Sequence, residues 1–127
     1  MLTNLRFEAR LPTQDLDRAR RWYREKLGLE PSEEREGGLR YESPSGVFCL
    51  YASAGVSDGS FTQAGFYVDD LEATVAGLRE RGVVFEDYGD DGIVEVRGNY
   101  PSKGSGERAA WFRDSEGNLI GLGQIVP

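Results

Sequence analysis

The chain of 127 residues is predicted to be an α+β protein of two repeated βαβββ modules, whose curved mixed sheets form a shared cleft. Three observations predict this fold. Each half opens with a strand-like segment, a capped amphipathic helix follows it, and the same order of elements then occurs a second time. The length fits a single domain covering residues 1–127. Its first module spans about 4–52, a linker rich in small residues spans 53–60, and the second module spans about 61–126.

The first module is predicted to begin with a strand over residues 5–11, where apolar and charged side chains alternate. Pro12 is expected to break this strand. Asp15 is then placed to cap a helix that runs to Leu27, with Gly28 as its stop. Turn-forming residues separate the three short strands that follow. These strands are predicted near residues 29–35, 39–42 and 47–52.

The second module repeats this order. A strand is predicted over residues 61–68, and Asp70 caps a helix that ends before Gly82. The two caps, Asp15 and Asp70, lie 55 residues apart, whereas the later turn glycines Gly46 and Gly117 lie 71 residues apart. A longer loop near residues 97–107 accounts for the difference and is either a lid over the cleft or a plain connection. Further strand-like segments are predicted near residues 83–86, 93–97, 108–113 and 119–125.

The charge balance restricts the partners of the protein. Fifteen lysine and arginine residues stand against 22 acidic residues, which gives a formal net charge of −7. Such a surface disfavours nucleic acid and anionic membranes, and it favours a basic ligand. The sequence contains neither a signal-peptide pattern nor an apolar run of membrane-spanning length. We therefore expect a cytoplasmic protein that binds a small molecule, with no nucleic-acid partner and no membrane partner.

The chain contains no histidine, which excludes Ser-His-Asp and Cys-His nucleophilic schemes and removes the commonest metal ligand. Chemistry would have to come from carboxylates, arginine, lysine, tyrosine or the single cysteine, Cys49. Cys49 has no cluster of cations near it in the sequence, and we expect it to fill the core.

The predicted cleft lies on the sheet faces that the helices leave uncovered. On the first strand, Glu8 shares such a face with two arginines, which favour its ionised form. Glu8 is therefore a structural ion pair, an anchor for a ligand or, least favoured, a general base and the one candidate catalytic residue. Gln63 holds the matching place in the second half, and aromatic walls suit planar or cationic ligands. The predicted ligand-binding residues are Glu8, Gln63, Arg6, Arg10, Tyr67, Phe48, Trp111 and Tyr100.

Two segments carry a family resemblance. The stretch LPTQDLDRARRWY at 11–23, continued by KLGL at 26–29, resembles the opening helix of the vicinal oxygen chelate superfamily. The stretch FRDSEGNLI at 112–120 resembles the closing turn and last strand of that superfamily, with Ser115 in place of a proline. The superfamily includes glyoxalase I, bleomycin-resistance proteins and extradiol dioxygenases. The resemblance implies a homodimer, and in many members the cleft is completed across chains.

The resemblance also implies where metal ligands would lie. Metal-using members take their ligands from four equivalent positions, which counting from the caps and turns assigns to Glu8, Gln63, Leu50 and Gly121. Leu50 and Gly121 carry no donor atoms, and a transition metal needs about three or four protein donors. We therefore expect no metal and no cofactor.

Three functions fit these features. The favoured one is a protein of the glyoxalase/bleomycin-resistance type that binds a small molecule without metal. The alternative is a metal-assisted lyase, isomerase or dioxygenase with a weak site at Glu8 and Gln63. The third is a structural or regulatory domain whose cleft is filled by its own side chains.

Overall fold

Two four-stranded sheets, one in each half of the chain, form the framework of the protein. The computed structural model describes residues 2–97 and 106–126. The first module contains β1 (Ala9–Thr13), α1 (Leu16–Trp22), β2 (Glu33–Arg35), β3 (Gly38–Ser43) and β4 (Gly46–Ala52). The second contains β5 (Ala64–Tyr67), α2 (Leu71–Glu80), β6 (Val94–Arg97), β7 (Gly106–Arg113) and β8 (Leu119–Val126).

The two sheets have the same topology. Their strand orders are β1-β4-β3-β2 and β5-β8-β7-β6, and in each sheet the first pair is parallel and the other two pairs are antiparallel. The register also repeats. Arg10 and Gly65 hold the same position relative to their helix caps, and they lie opposite Cys49 and Gly121 respectively. The predicted α+β fold of two βαβββ modules is confirmed.

Both helices begin at the predicted caps. The Asp15 carboxylate accepts a hydrogen bond of 3.0 Å from the backbone N–H of Arg18, and Asp70 accepts an equivalent bond of 3.0 Å from Ala73. The first helix continues beyond α1 as a π-helical segment, Tyr23–Leu27, and ends at Gly28 with φ +70°. Glycine adopts this left-handed conformation without the steric cost of a Cβ.

Several predicted strands are shorter or shifted in the structure, and two differ most from the sequence expectation. The first strand occupies Ala9–Thr13 rather than 5–11, so Pro12 lies inside it. Proline fits there because β1 is an edge strand, where a missing N–H need not break a ladder. The segment before β1 leaves Phe7 87% exposed. The predicted strand at 83–86 is reduced to an isolated bridge between Phe85 and Phe112.

One apolar core joins the two modules. Tyr23 packs on Tyr41 and Phe48, with ring centroids 5.4 and 5.9 Å away. Trp22 stacks on Phe112 of the second sheet at 6.0 Å. The first helix therefore packs both against its own sheet and against the second module. No helix in the described part of the chain is long and apolar enough to span a membrane.

The turn between β7 and β8 links the modules through polar groups. The Tyr23 hydroxyl donates to Asp114 Oδ2 at 2.7 Å, and Asn118 Nδ2 donates both to Asp114 Oδ2 at 2.9 Å and to the carbonyl oxygen of Pro12 at 3.0 Å. Asp114 and Asn118 are buried. Buried polar groups stabilise a fold when they are paired in this way, so this turn fixes the position of the first helix.

Glu116 of the same turn completes the start of α1. Its fully buried carboxylate accepts hydrogen bonds from the backbone N–H groups of Gln14 and Asp15, each 3.0 Å, and from the Arg18 guanidinium at 2.8 and 2.9 Å. Burial alone would raise the pKa of Glu116. The bonds from Arg18, Ser115 and the two backbone groups outweigh that effect and lower it to about 2.

Candidate functional site

Each sheet has one face against the core and one face free of helices. The free face of the first sheet surrounds a hollow of about 280 Å³. Alternation along the strands places Arg10, Arg40 and Cys49 in one row across β1, β4 and β3 on this face. The side chains that line the hollow and can interact with a ligand are Glu8, Arg10, Glu33, Arg35, Arg40, Cys49 and Tyr51.

Glu8 is paired with neighbouring side chains on this face. The Arg40 guanidinium donates a hydrogen bond of 2.7 Å to Glu8 Oε1, and the Cys49 thiol lies 3.6 Å from Glu8 Oε2. The bond from Arg40 lowers the pKa of Glu8, with smaller contributions from Cys49 and from the charge of Arg6. Burial and the neighbouring Glu8 charge raise the pKa of the Cys49 thiol. Glu8 is therefore ionised and paired, which does not suit a general base at neutral pH.

Positive charge is concentrated in this hollow. Arg10, Arg35 and Arg40 contribute three guanidinium groups against two carboxylates, although the whole chain has a net charge of −7. Arg10 lies over the Tyr51 ring, with 5.3 Å between the guanidinium carbon and the ring centroid. This contact orients the guanidinium on the free face.

The free face of the second sheet has a different character. Glycines form its floor, and two aromatic rings lie on them. A Cβ on Gly121 would be 3.1 Å from the Trp111 indole nitrogen, and a Cβ on Gly123 would be 2.9 Å from the Tyr67 ring. Both rings line a hollow of about 110 Å³. The Trp111 indole N–H donates to Thr62 Oγ1 at 3.0 Å, which fixes the ring in place.

Gln63 lies beside this second hollow rather than in it. The Ser57 hydroxyl donates to Gln63 Oε1, and the backbone N–H of Leu119 lies 3.4 Å from the same oxygen. The amide oxygen is thus occupied by the linker and by the start of β8.

One of the expected ligand-binding aromatics, Phe48, does not lie on these faces. Phe48 lies on the core side of β4, where its ring stacks on Tyr41 at 4.8 Å and contacts Phe66 at 5.2 Å. A strand turns alternate side chains to opposite faces, so Phe48 cannot share a face with Cys49. Tyr100 and most of the expected lid lie outside the described residues.

The register corrects one of the positions assigned to metal ligands. Leu50 is fully buried in the core and points away from Glu8. Because Arg10 pairs with Cys49 as Gly65 pairs with Gly121, the counterpart of Gly121 is Cys49. Cys49 therefore lies on the free face next to Glu8 and is not a core side chain, contrary to the sequence expectation.

The residues present do not fit the metal site of the superfamily. Arg40 neutralises Glu8 at the place where a cation would bind, and Trp111 covers Gly121. In residues 2–97 and 106–126, no three side chains of Asp, Glu or Cys come close enough together to hold a metal ion. The arrangement of charged and aromatic side chains suits hydrogen bonding and stacking with an organic ligand.

The two hollows share no lining residue within one chain. The shared cleft expected from the sequence therefore remains a prediction. The sequence alone does not indicate that Arg40, Cys49 and Glu107 lie on these faces. Alternation on β3, β4 and β7 was the available signal for them, but it needs the strand register, which only the fold supplies.

A larger hollow, of about 730 Å³, lies beside α2 and the turn before β6. The two arginines that line it already interact with other groups of the protein. Arg108 pairs with Glu72, while Arg79 donates to the backbone oxygen of Asp91 at 2.7 Å and lies over Phe85. We place the candidate site on the free sheet faces, where aromatic rings and polar groups converge.

Comparisons with known proteins point to one family. A family model described as Glyoxalase/Bleomycin resistance protein/Dioxygenase superfamily matches residues 6–122. Curated proteins show no match to the chain.

Solved structures share the fold. A protein from the mobile metagenome of V. pseudocholerae is 21% identical, with 100% of this chain and 98% of that chain covered and a TM-score of 0.71. A bleomycin resistance determinant encoded on transposon Tn5 is 19% identical, with 98% and 100% covered and a TM-score of 0.70. A glyoxalase/bleomycin resistance protein from Catenulispora acidiphila is 25% identical, with 98% and 100% covered and a TM-score of 0.63.

Proposed function

The chain belongs to the glyoxalase/bleomycin resistance protein/dioxygenase superfamily, and we propose from this that it binds a small organic molecule on its free sheet faces without a bound metal. The observation that carries the proposal is that side chains of this protein occupy the positions where metal-using members of the superfamily hold their metal. Arg40 is paired with Glu8 at one of them, and the Trp111 ring lies on Gly121 at another. Side chains that recognise ligands by charge and stacking thus replace side chains that coordinate a metal.

The working unit in this proposal is a homodimer. Within one chain the two hollows are separate, and each is shallow compared with pockets that enclose a ligand. A second copy related by a twofold axis would bring the charged first face of one chain against the aromatic second face of the other. The exposed side chains of Leu5 and Phe7, just before β1, provide apolar surface for such a contact.

Sedimentation tests the assembly. We expect a species of twice the chain mass of 14.1 kDa at the concentrations where ligand binds. A ligand-binding species of 14.1 kDa would contradict the dimer and leave binding to a single face.

Thermal denaturation of chelator-treated protein tests binding itself. A ligand that binds the folded state raises the melting temperature by mass action, and the shift saturates with concentration. We expect aromatic compounds to produce this shift without added metal, and we expect Trp111→Ala to abolish it. Val84→Ala is the control, because Val84 is 83% exposed and lines neither hollow. Binding that requires added Mg²⁺, Mn²⁺, Fe²⁺, Ni²⁺ or Zn²⁺, or that survives Trp111→Ala unchanged, would overturn the proposal.

A further inference from the structure

Glu107 on β7 is a carboxylate in the aromatic hollow of the second sheet. Residues 107, 109 and 111 share one face of β7, so Glu107 lies on the same side as Trp111. Glu107 Oε2 is 3.5 Å from the point where a Cβ on Gly123 would lie, and the Tyr67 ring is 2.9 Å from the same point. The carboxylate oxygen and the ring therefore share one glycine floor.

This oxygen of Glu107 is buried. Glu107 Oε2 is shielded from solvent and accepts no hydrogen bond from the described residues. Shielding a carboxylate oxygen without a donor is unfavourable, so a rotation of the Glu107 side chain that let a ligand donate to it would gain more than the same bond at an exposed carboxylate.

The two described arginines nearest to Glu107 in the sheet are paired with other carboxylates. Arg108 points to the opposite face of β7 and pairs with Glu72, and Arg97 on β6 pairs with Glu95. Among the described residues that line the hollow, Glu107 carries the one formal charge at neutral pH. The hollow is thus locally negative and walled by aromatic rings.

We propose that this hollow binds the protonated amine of a ligand, with Glu107 accepting its N–H and the Trp111 and Tyr67 rings packing around it. The inference rests on the proposed function and names the ligand class for it. An ammonium group gains from both features, because a carboxylate accepts a charge-assisted hydrogen bond and aromatic faces attract cations. A volume of about 110 Å³ admits the amine end of a ligand and leaves the rest of it outside, toward the first sheet of a second copy.

The test uses three probes of matched shape: phenethylammonium, phenethyl alcohol and 3-phenylpropionate, titrated at constant ionic strength. The readout is the indole N–H signal of Trp111 in an NMR spectrum, assigned by its loss in Trp111→Phe. Trp22 is the only other tryptophan and packs in the core against Tyr23 and Phe112, so its signal reports that each variant is folded.

We expect the amine to bind about tenfold or more tightly than the alcohol, and the anion to bind most weakly. Glu107→Gln removes the charge at constant shape and should bring the amine to within about threefold of the alcohol. Glu80→Gln, at the exposed C-terminal end of α2 and outside this hollow, is the control and should keep the wild-type preference.

The outcomes separate the two proposals. If alcohol and amine bind equally well, or if Glu107→Gln keeps the preference for the amine, the amine inference is overturned while binding to this face stands. If none of the three probes shifts the Trp111 signal, the amine inference falls, and the thermal-denaturation test with other aromatic compounds decides the proposed function separately.

Discussion

Two buried tyrosines illustrate how single hydroxyl groups contribute to this fold. The Tyr23 hydroxyl donates to the buried carboxylate of Asp114 at 2.7 Å. The Tyr41 hydroxyl is equally buried but has no hydrogen-bond partner among the described residues. Burial raises the pKa of Tyr41 to about 12 and that of Tyr23 well above its usual value, so both hydroxyls stay protonated at neutral pH.

Replacing either tyrosine with phenylalanine removes one oxygen and little else. We expect Tyr23→Phe to lower the free energy of unfolding by about 2 kcal/mol, because Asp114 loses a donor while it stays buried. Tyr41→Phe should be neutral or slightly stabilising, because no bond is lost. Urea denaturation of both variants measures the difference. Equal losses for the two variants would contradict the role given to the Tyr23–Asp114 bond.

At the level of elements, two glycines have opposite roles. Gly77 lies exposed inside α2, and a Cβ there would contact nothing within 4 Å. Gly28 ends the first helix at φ +70°. Alanine is favoured over glycine inside a helix by about 1 kcal/mol, whereas a left-handed conformation favours glycine by a similar amount.

The same substitution at these two sites should therefore change stability in opposite directions. We expect Gly77→Ala to raise the free energy of unfolding by up to about 1 kcal/mol and Gly28→Ala to lower it by about 1 kcal/mol. Denaturant midpoints give the comparison directly. A destabilised Gly77→Ala variant would mean that α2 needs a glycine for a reason other than helix geometry.

Elements were predictable from the sequence wherever a local signal marks them. Asp15 and Asp70 cap their helices as expected, because capping depends on a few neighbouring residues. Register was not predictable in the same way. Counting from the turn glycines Gly46 and Gly117 makes Leu50 the counterpart of Gly121. The strand register makes Cys49 the counterpart instead, so the count was wrong by one residue.

Part of the candidate site could be predicted from the sequence, again because a local signal marks it. Glu8, Arg10, Tyr67 and Trp111 lie on the free faces, since alternation within a strand indicates which side chains share a side. Arg40 could not be assigned to Glu8 from the sequence, because the two residues are 32 positions apart and meet only when β1 and β3 both pair with β4. Long-range pairing depends on the whole sheet.

At the scale of the whole molecule, Glu116 makes stability depend on pH. The folded state lowers the pKa of Glu116 from 4.5 to about 2. A lowered pKa stabilises the folded protein above the unfolded value, and this contribution is lost as pH falls from about 4.5 through about 2. Its size is roughly 3 kcal/mol at neutral pH.

We expect Glu116→Gln to be less stable than the wild type by about 2–3 kcal/mol at pH 7, with a difference that shrinks below pH 4.5 and is nearly absent at pH 2. Urea denaturation across this range measures it. A difference that stayed constant with pH would show that the loss comes from packing and not from the carboxylate charge.

The turn that carries Glu116 also has a consequence for how the chain is made. The first N–H of α2 donates to Gln124 of its own module, but the start of α1 is completed by Glu116 from the other module. Synthesis proceeds from the N-terminus, so α1 leaves the ribosome long before its partner turn exists. The first half therefore lacks these hydrogen bonds until the turn at residues 114–118 has also been synthesised. In a growing chain, the start of α1 is completed only after most of the second module has been made.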